Sequence, residues 1–420
     1  MIKQILKQIW NERRSNAWLW AELLLVSIVL WVIVDWGYVM LRIYLQPHGF
    51  NIENTYQLYF DELNLKSSNY VPADRKTTTF GEDFLATTER LRHHPDVEFV
   101  GIAQFSSPYN GSNSSHNVTH DTLPPINRLF RWCTPDFFNV FQYENVDGSG
   151  SQSLADALKA NTLIVGSNFW QEYYPDGKGL KGLSFYSNDD STAVYTISAI
   201  TKPVRYSDFR PITDRSYFAS LLEEKDIIEM PSSTLSSVEV CIRVHSSTSP
   251  DFAEQLMKDS PRLYNVGNCY IQRIRSFEDV RSAYQLDEMN ELKTRGYIVF
   301  FLLVNIFLGI IGTFWFRTRQ RQGELGLRLA LGSTADGLKR LLINEGVLLL
   351  TLAFIPAVII CINIGYADLM QVWQMEWGIA RFVPGILITF VLMALMIVAG
   401  IWIPAQRAMK IQPAEALHEE

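Results

Sequence analysis

The stretch "GYIVFFLLVNIFLGIIGTFWF", residues 296–316, decides the class of this protein. It holds 21 residues without a charge, which is long enough to cross a hydrocarbon core of about 30 Å as a helix. Three segments of similar length and apolarity lie at residues 17–41, 341–365 and 382–404. Buried helices of a soluble protein are the alternative, but four such segments in one chain favour a membrane. We therefore predict four transmembrane helices at these positions.

Basic residues give the orientation of the spans. Twelve Lys and Arg residues fall in the N-terminal segment 1–16, the segment 317–340 and the tail 405–420, whereas the short loop 366–381 holds one. The excess of basic residues on the cytoplasmic side of bacterial membranes predicts that both termini and 317–340 are cytoplasmic. Residues 42–295 and the loop 366–381 are then periplasmic.

Residues 42–295 have the composition of a folded domain. Period-two alternation predicts strands, apolar spacing near Phe84 and Leu91 predicts a helix, and the Ser- and Asn-rich run 106–120 predicts a mobile surface loop. A polar helix over about 277–295 is expected to continue directly into the second span. The predicted fold class is an α-helical membrane protein with four transmembrane helices plus a mixed α+β extracytoplasmic domain inserted between the first and second. A β-rich insertion over about 132–235 divides this domain.

Composition and motifs exclude several functions. A net charge of −7 argues against nucleic-acid binding, and no hydrolase or phosphate-loop motif occurs. His116 and His120 lie four residues apart but without the glutamate of a zinc-protease motif, so no metal site is predicted. Cys241 and Cys269 leave a disulfide and two free thiols both open, with free thiols favoured. No catalytic residue is predicted.

Two acidic residues interrupt the first apolar segment. Glu22 and Asp35 both lie near an end of that segment, which favours placement at the membrane interface over a path for protons or ions.

The segment between the second and third spans, "RTRQRQGELGLRLALGSTADGLKRLLINEG" (residues 317–346), predicts a short basic amphipathic helix. Glu324 and Arg328 have the i, i+4 order that favours an ion pair. Leu325 and Leu329 flank one side of this charged stripe, and Leu327 and Leu331 flank the other. Physical reasoning leaves two roles open, namely anchoring on anionic lipid and docking on a partner protein.

The ends of this helix also have sequence signals. Gly332 suits a left-handed position at the helix C-terminus, and Ser333 with Asp336 predicts a capping-box start for the next helix.

The same segment resembles the coupling segment of MacB/FtsX/LolC-type ABC transporter permeases. The pattern is a basic span exit, Glu-Leu-Gly, then Ala-Leu-Gly, and a Glu that opens the third span. The residues at those places are Glu324, Leu325, Gly326, Arg328, Ala330, Leu331, Gly332 and Glu345. The tail "PAQRAMKIQPAEALHEE" (404–420) is similar to the family's Pro-x-Glu-Ala-Leu ending, and the order of one span, a large outer domain and three spans is also the family's.

This resemblance implies a non-catalytic permease subunit of a bacterial inner membrane that binds no cofactor itself. ATP and magnesium would act on a separate cytoplasmic ABC ATPase subunit, docked on a coupling helix. The residues implied in docking are Arg321, Glu324, Leu325, Gly326, Leu327, Arg328, Ala330, Leu331 and Gly332. The permease would transmit the ATPase movement to its periplasmic domain, an action called mechanotransmission.

Further partners implied by the resemblance are a second permease copy or a paralogue, membrane lipid, a periplasmic adaptor and an outer-membrane channel. Export of peptides or antibiotics, lipoprotein handling and activation of cell-wall hydrolases all remain open as tasks. A transmembrane sensor with an extracytoplasmic ligand-binding domain, acting through a separate output protein, is the alternative function.

Overall fold

A computed structural model gives the fold of two compact units. One comprises residues 1–44 with 290–420, and the other comprises residues 45–289. The residues that the structure describes are 7, 9–11, 13–120, 126–169, 180–187, 194–205, 207–212, 217–370 and 372–408.

Helices and strands in these residues are numbered in chain order. The helices are α1 (Arg13–Tyr44), α2 (Phe80–Arg92), α3 (Asp136–Val140), α4 (Ser151–Ala157), α5 (Glu224–Ile228), α6 (Phe252–Leu263), α7 (Phe277–Tyr284), α8 (Leu286–Gln320), α9 (Gln322–Ala330), α10 (Ala335–Tyr366) and α11 (Ile379–Ala408), with a 3-10 helix at Ser232–Ser237. The strands are β1 (Thr55–Glu62), β2 (Val97–Gln104), β3 (Ser114–Thr119), β4 (Ile126–Cys133), β5 (Thr162–Gly166), β6 (Ser184–Ser187), β7 (Val194–Thr201), β8 (Tyr217–Leu221), β9 (Val238–Val244) and β10 (Cys269–Ser276).

The first unit contains four helices, α1, α8, α10 and α11, that are long and apolar enough to cross a membrane. Their number and order confirm the predicted fold class. Helices α1, α10 and α11 pack against one another around buried side chains such as Trp31, Ala353 and Met393. Helix α8 joins this core through Ile310 and Phe314 of its C-terminal half.

The acidic residues of α1 both have partners in the structure, and their position at the membrane interface stays a prediction. The Asp35 carboxylate is fully buried and accepts hydrogen bonds from Arg381 Nη2 at 2.6 Å and Arg381 Nε at 3.0 Å. Glu22 accepts a hydrogen bond from the Thr313 hydroxyl at 3.1 Å. Sequence could not supply the partners because Asp35 and Arg381 are 346 residues apart. Paired charges can remain inside a membrane bundle, where unpaired ones are strongly disfavoured.

The second unit is built on a mixed sheet in which β10, β1, β9 and β2 form an antiparallel group. Alternation along these strands buries both faces. Val240 and Ile242 of β9 join the cluster under α2 and α6, whereas Cys241 joins the cluster that includes Phe137 of α3 and Phe277 of α7. The group thus lies between two helical layers.

The remaining six strands close into a ring. Their order is β4-β3-β6-β7-β5-β8, and β8 pairs in parallel with β4 to complete it. Four buried phenylalanine side chains pack together in a hydrophobic cluster with residues of these strands. They are Phe130, Phe169, Phe185 and Phe218. The β-rich insertion is therefore a closed small barrel built from strands between residues 114 and 221.

Two local predictions for this unit are corrected. Residues 114–119 are strand β3 rather than part of a loop, because β4 and β6 pair with them and Val118 is buried. The predicted helix over 277–295 is broken at Gln285, so α7 ends before α8 begins. Its predicted continuation into the second span is confirmed, because α8 runs without a break from Leu286 to Gln320.

Candidate functional site

The candidate docking segment comprises three helical elements. Helix α8 ends at Gln320, α9 occupies Gln322–Ala330, and α10 begins at Ala335. The backbone leaves helical geometry at Arg321, with φ −99° and ψ 11°, and again at Gly332. The predicted short helix with a corner at Gly332 is therefore confirmed. Within the segment 317–340 the helix itself is the nine-residue α9, and the corner at Arg321 that separates it from α8 was not predicted.

The C-terminal corner is a Schellman motif. The Ser333 N–H donates to the Arg328 carbonyl at 3.0 Å, and the Gly332 N–H donates to the Leu329 carbonyl at 3.0 Å. Gly332 has a φ of +95°, which confirms the predicted left-handed position, and glycine adopts it without a Cβ clash. The next helix is capped by Thr334, whose hydroxyl accepts from the Gly337 N–H at 3.2 Å, one residue later than the predicted Ser333.

Five charged side chains form a continuous network across these elements. Arg317 Nη2 and Arg321 Nη1 donate to the two carboxylate oxygens of Glu345 on α10, at 2.8 and 2.7 Å. Arg321 Nε also donates to Glu324 at 2.9 Å, and Arg328 Nη2 lies 2.7 Å from Glu324. The predicted Glu324–Arg328 pair is confirmed, and it is the outer end of a network that joins α8, α9 and α10.

The inner end of this network is buried. The Glu345 side chain is 6% exposed and that of Arg321 is 12% exposed. Burial disfavours the charged form of Arg321, but hydrogen bonds and attraction from Glu324 and Glu345 outweigh it and raise the pKa of the guanidinium. Burial likewise opposes ionisation of Glu324, yet Arg321 and Arg328 lower the pKa of its carboxyl below the ordinary 4.5.

Helix α9 has two faces with different surroundings. Leu325 is 2% exposed and packs in the core of the first unit, which contains the four apolar helices and is called the membrane unit below. Leu329 packs against the same core. On the opposite face Leu327 is 50% exposed and Leu331 is 79% exposed, with Ala330 exposed between them. These three positions share one side of a helix, so α9 presents an apolar ridge, named the outer ridge below.

The structure therefore sorts the nine predicted docking residues by exposure. The exposed ones are Leu327, Ala330, Leu331 and Gly332, the buried ones are Leu325 and Gly326, and the partly buried ones are Arg321, Glu324 and Arg328. Sequence reasoning treated Glu345 as a position in a family pattern and missed that it is the buried centre of the network. The signal that could have found it is a carboxylate inside an apolar helix, which needs a partner.

The second unit (residues 45–289), called the outer unit below, contains no cluster of three or more metal-ligand side chains among its described residues. The His116 ring packs edge-on against Phe130 and Trp132, with centroids 5.3 Å apart in each case, and His120 Nδ1 lies 2.7 Å from the Ser184 carbonyl. Both histidine side chains thus pack against or hydrogen-bond to other parts of the same unit.

The two cysteines considered for a disulfide are free and buried in the structure. They lie on β9 and β10, which pair with opposite sides of β1. Burial raises the pKa of the Cys269 thiol to about 12.

A second charged cluster in the outer unit is centred on Asp208. Its carboxylate is 2% exposed and accepts from Arg281 Nη2 at 2.6 Å and from the Tyr109 hydroxyl at 3.0 Å, while His48 Nε2 lies 2.8 Å away. Burial opposes ionisation, but the hydrogen bonds from His48 and Arg281 and the Arg281 charge hold the pKa of Asp208 well below its usual value. The cluster ties together four chain segments that are distant in sequence.

A family model and several solved structures match parts of the chain. The family model described as FtsX-like permease C-terminal matches residues 296–413. No curated protein matches the chain.

Solved structures align with slightly more than half of the chain. A domain described as a permease protein from Porphyromonas gingivalis has 12% identity and a TM-score of 0.34, over 55% of this chain and 93% of its own. The periplasmic region of MacB from Actinobacillus actinomycetemcomitans has 10% identity and a TM-score of 0.31, over 58% and 98%. The extracellular domain of the noncanonic ABC-type transporter YknZ from Gram-positive bacteria has 10% identity and a TM-score of 0.28, over 52% and 100%.

Proposed function

Because the chain carries an FtsX-like permease C-terminal domain at residues 296–413, we propose that it is an ABC permease subunit that transmits the movement of a separate ATPase across the membrane. The chain itself is non-catalytic in this proposal, and ATP with magnesium binds to the partner. The observation that carries the proposal is the outer ridge of α9, formed by Leu327, Ala330 and Leu331.

An exposed apolar ridge on a short helix needs a cover, because such surface is unfavourable in water. The exposed side chains of Leu327 and Leu331 suit a hydrophobic cleft on a partner protein, and the basic residues nearby favour a partner surface with acidic character. If α9 lay on lipid, the same ridge would be buried. Lipid anchoring and docking on a protein, the two roles that the sequence left open, therefore use the same face of α9 and differ only in what covers it.

The charged network supports transmission from α9 to the spans. Arg321 at the start of α9 is bonded to Glu345 of α10, and Glu345 is bonded to Arg317 of α8. Leu325 adds apolar packing against the same bundle. A displacement of α9 by a docked ATPase would therefore move the ends of two spans together, because hydrogen-bonded buried charges resist separation.

A second copy of the chain, or a paralogue, is the proposed cover of α8. Only 11% of the apolar part of α8 is buried, against 22–33% for the other three spans, and Tyr297 and Phe301 in its N-terminal half are 73% and 65% exposed. In this arrangement both termini are cytoplasmic in the inner membrane and the unit 45–289 is periplasmic. Export of peptides or antibiotics and lipoprotein handling remain the proposed tasks, with an adaptor and an outer-membrane channel as further partners.

The decisive experiment changes the outer ridge. In the double variant Leu327→Glu/Leu331→Glu, the ATPase that co-purifies with the unaltered protein should be lost, and its hydrolysis rate should become independent of the permease. The fold should persist, because both side chains are exposed and surface changes usually alter stability by about 0.5 kcal/mol or less.

Lys7→Glu is the matched control, since it changes the charge of another exposed residue by the same total amount. It should leave association intact. Normal association and coupling in the double variant would refute docking through the outer ridge. Loss of association in Lys7→Glu to the same degree would show that overall charge, rather than this ridge, is responsible.

A further inference from the structure

The N-terminal end of α1 carries two arginines and a tryptophan on its exposed surface. Arg13 and Arg14 are both exposed, and neither forms an ion pair with a described residue. Trp18, one helical turn after Arg14, is 80% exposed. The candidate membrane span of this helix begins at Asn16. Two cations without a described counterion therefore lie where α1 enters its apolar stretch.

One stripe of α1 connects this end with the apolar surface of the span. Six exposed residues follow one another at spacings of three or four, which places them on one side of the helix. They are Arg14, Trp18, Ala21, Leu25, Val29 and Val32, and they are called the α1 stripe below. On the other side of the helix, Leu19, Leu23 and Leu30 are buried in the core of the membrane unit. The cation at Arg14 thus faces away from the protein, in line with the apolar residues.

The segment before α1 adds a second indole to this end. Asn16 Nδ2 donates to the Ile9 carbonyl at 3.0 Å, and both residues are buried. This bond and the packing of Ile9 in the core of the membrane unit hold the segment against α1. Trp10 is 69% exposed, and Arg13 Cζ lies 5.9 Å from the centre of its ring, which is a cation–π contact. Exposed indoles therefore accompany the two arginines on both sides along the chain.

The position of Arg14 matches the depth of lipid phosphate groups. Arg14 precedes the first residue of the span by two positions, which is about 3 Å along a helix. The headgroup layer extends about 5–8 Å beyond the hydrocarbon core on each side. The apolar stem of an arginine lets its guanidinium reach this layer, and tryptophan is enriched there. The guanidinium of Arg14 is therefore placed among phosphates.

Charge distinguishes a lipid from a second copy of the chain as the cover of this face. Two copies packed through the α1 stripe would bring their Arg14 side chains together, because identical residues of parallel two-fold partners lie at equal depth. Like charges placed opposite each other disfavour such an interface. A phosphate instead accepts hydrogen bonds from a guanidinium in a bidentate geometry, and an acyl chain covers apolar side chains.

The two arginines also select among lipids. A zwitterionic headgroup brings a cation of its own next to both guanidiniums, whereas phosphatidylglycerol does not. We propose that this end of α1 is a binding site for an anionic phospholipid, with its phosphate on Arg13 and Arg14 and an acyl chain along Leu25 and Val29. The inference is independent of the docking proposal for α9.

The test uses the full chain in phosphatidylcholine nanodiscs and follows the quenching of tryptophan fluorescence by lipids brominated in their acyl chains. The nanodiscs contain a minor fraction of either brominated phosphatidylglycerol or brominated phosphatidylcholine. Because the chain has 11 tryptophans, the signal of this site is the part of the quenching that is lost in Trp10→Phe/Trp18→Phe. We expect this part to be larger with brominated phosphatidylglycerol. Equal quenching by the two lipids would overturn the proposal, and so would no quenching by either, the result expected if a protein covered this face.

Two variants locate the headgroup. One basic residue near an anionic lipid surface strengthens binding about fivefold, so Arg14→Gln should reduce the preference for phosphatidylglycerol by about that factor. Arg13→Gln/Arg14→Gln should abolish the preference, and it should fold normally because both side chains are exposed. Arg75→Gln/Arg262→Gln removes the same charge from two exposed arginines of the outer unit, and this matched control should keep the preference. An unchanged preference in Arg13→Gln/Arg14→Gln would overturn the site.

Discussion

Removing the carboxylate of Glu345 should loosen the joint between α9 and the spans. Glu345 is 4% exposed and is bonded to Arg317 and Arg321, whose side chains are 18% and 12% exposed. Breaking a buried ion pair by removing one partner destabilises a protein by about 3–5 kcal/mol. The two guanidiniums retain some contact with water, so the lower end applies. We expect Glu345→Ala to reduce the free energy of unfolding by about 3 kcal/mol.

A double-mutant cycle separates the interaction from other effects of each change. Equilibrium unfolding, followed by tryptophan fluorescence, is measured for Arg321→Gln, Glu345→Gln and the double variant. Residues in one hydrogen-bonded network usually show interaction energies of about 0.5–3 kcal/mol, and this pair should lie in the upper half of that range. The single variants should also reduce the dependence of ATPase rate on the permease, while the outer ridge stays intact.

Glu291→Gln serves as the control, because Glu291 forms an exposed i, i+4 pair with Arg295 on α8. Exposed pairs contribute about 0.2–1 kcal/mol, so this change should have a small effect. Strictly additive effects of Arg321→Gln and Glu345→Gln would refute the network as a joint. A Glu345→Gln variant that is as stable as Glu291→Gln would also refute this role of the network.

Three further predictions concern other positions. Asp35→Ala should destabilise the membrane unit by about 3–5 kcal/mol, while Asp35→Leu/Arg381→Leu should recover most of this loss, as thermal unfolding of both variants would reveal. The pKa of Asp208 is lowered by folding, so its contribution to stability should be complete above its unfolded pKa near 3.8 and be lost progressively as the pH falls from there towards the lower folded pKa. The difference in stability from Asp208→Asn, measured from pH 7 to 2, should therefore shrink in acid, and a constant difference would contradict the assignment. Gly332→Ala should cost about 1–2 kcal/mol because its φ is +95°, and an unchanged unfolding midpoint would argue against the left-handed corner.

Local patterns determined the membrane architecture and the ends of α9. The apolar segments, the Glu324–Arg328 spacing and Gly332 could be interpreted without tertiary structure, because a helix places residues three and four apart on one face and a left-handed corner favours glycine. The same local reasoning grouped Leu325 with Leu329 and Leu327 with Leu331.

Which of these leucine pairs is exposed was not decided by local pattern, because both faces of α9 are apolar. Leu325 packs against the membrane helices, and this packing leaves Leu327 and Leu331 exposed. Likewise, strand β3 lacks an apolar alternation and exists through pairing with β4 and β6.

By itself, then, the sequence determined the four spans, their order around the outer domain, and the turn at Gly332, since each depends on residues within a few helical turns of one another. Only the tertiary structure decided the Glu345 network, the Asp35–Arg381 pair and the closure of β4 on β8. These contacts join residues that are distant along the chain, and buried charges and strand edges select such partners through packing and hydrogen bonding that no local pattern encodes.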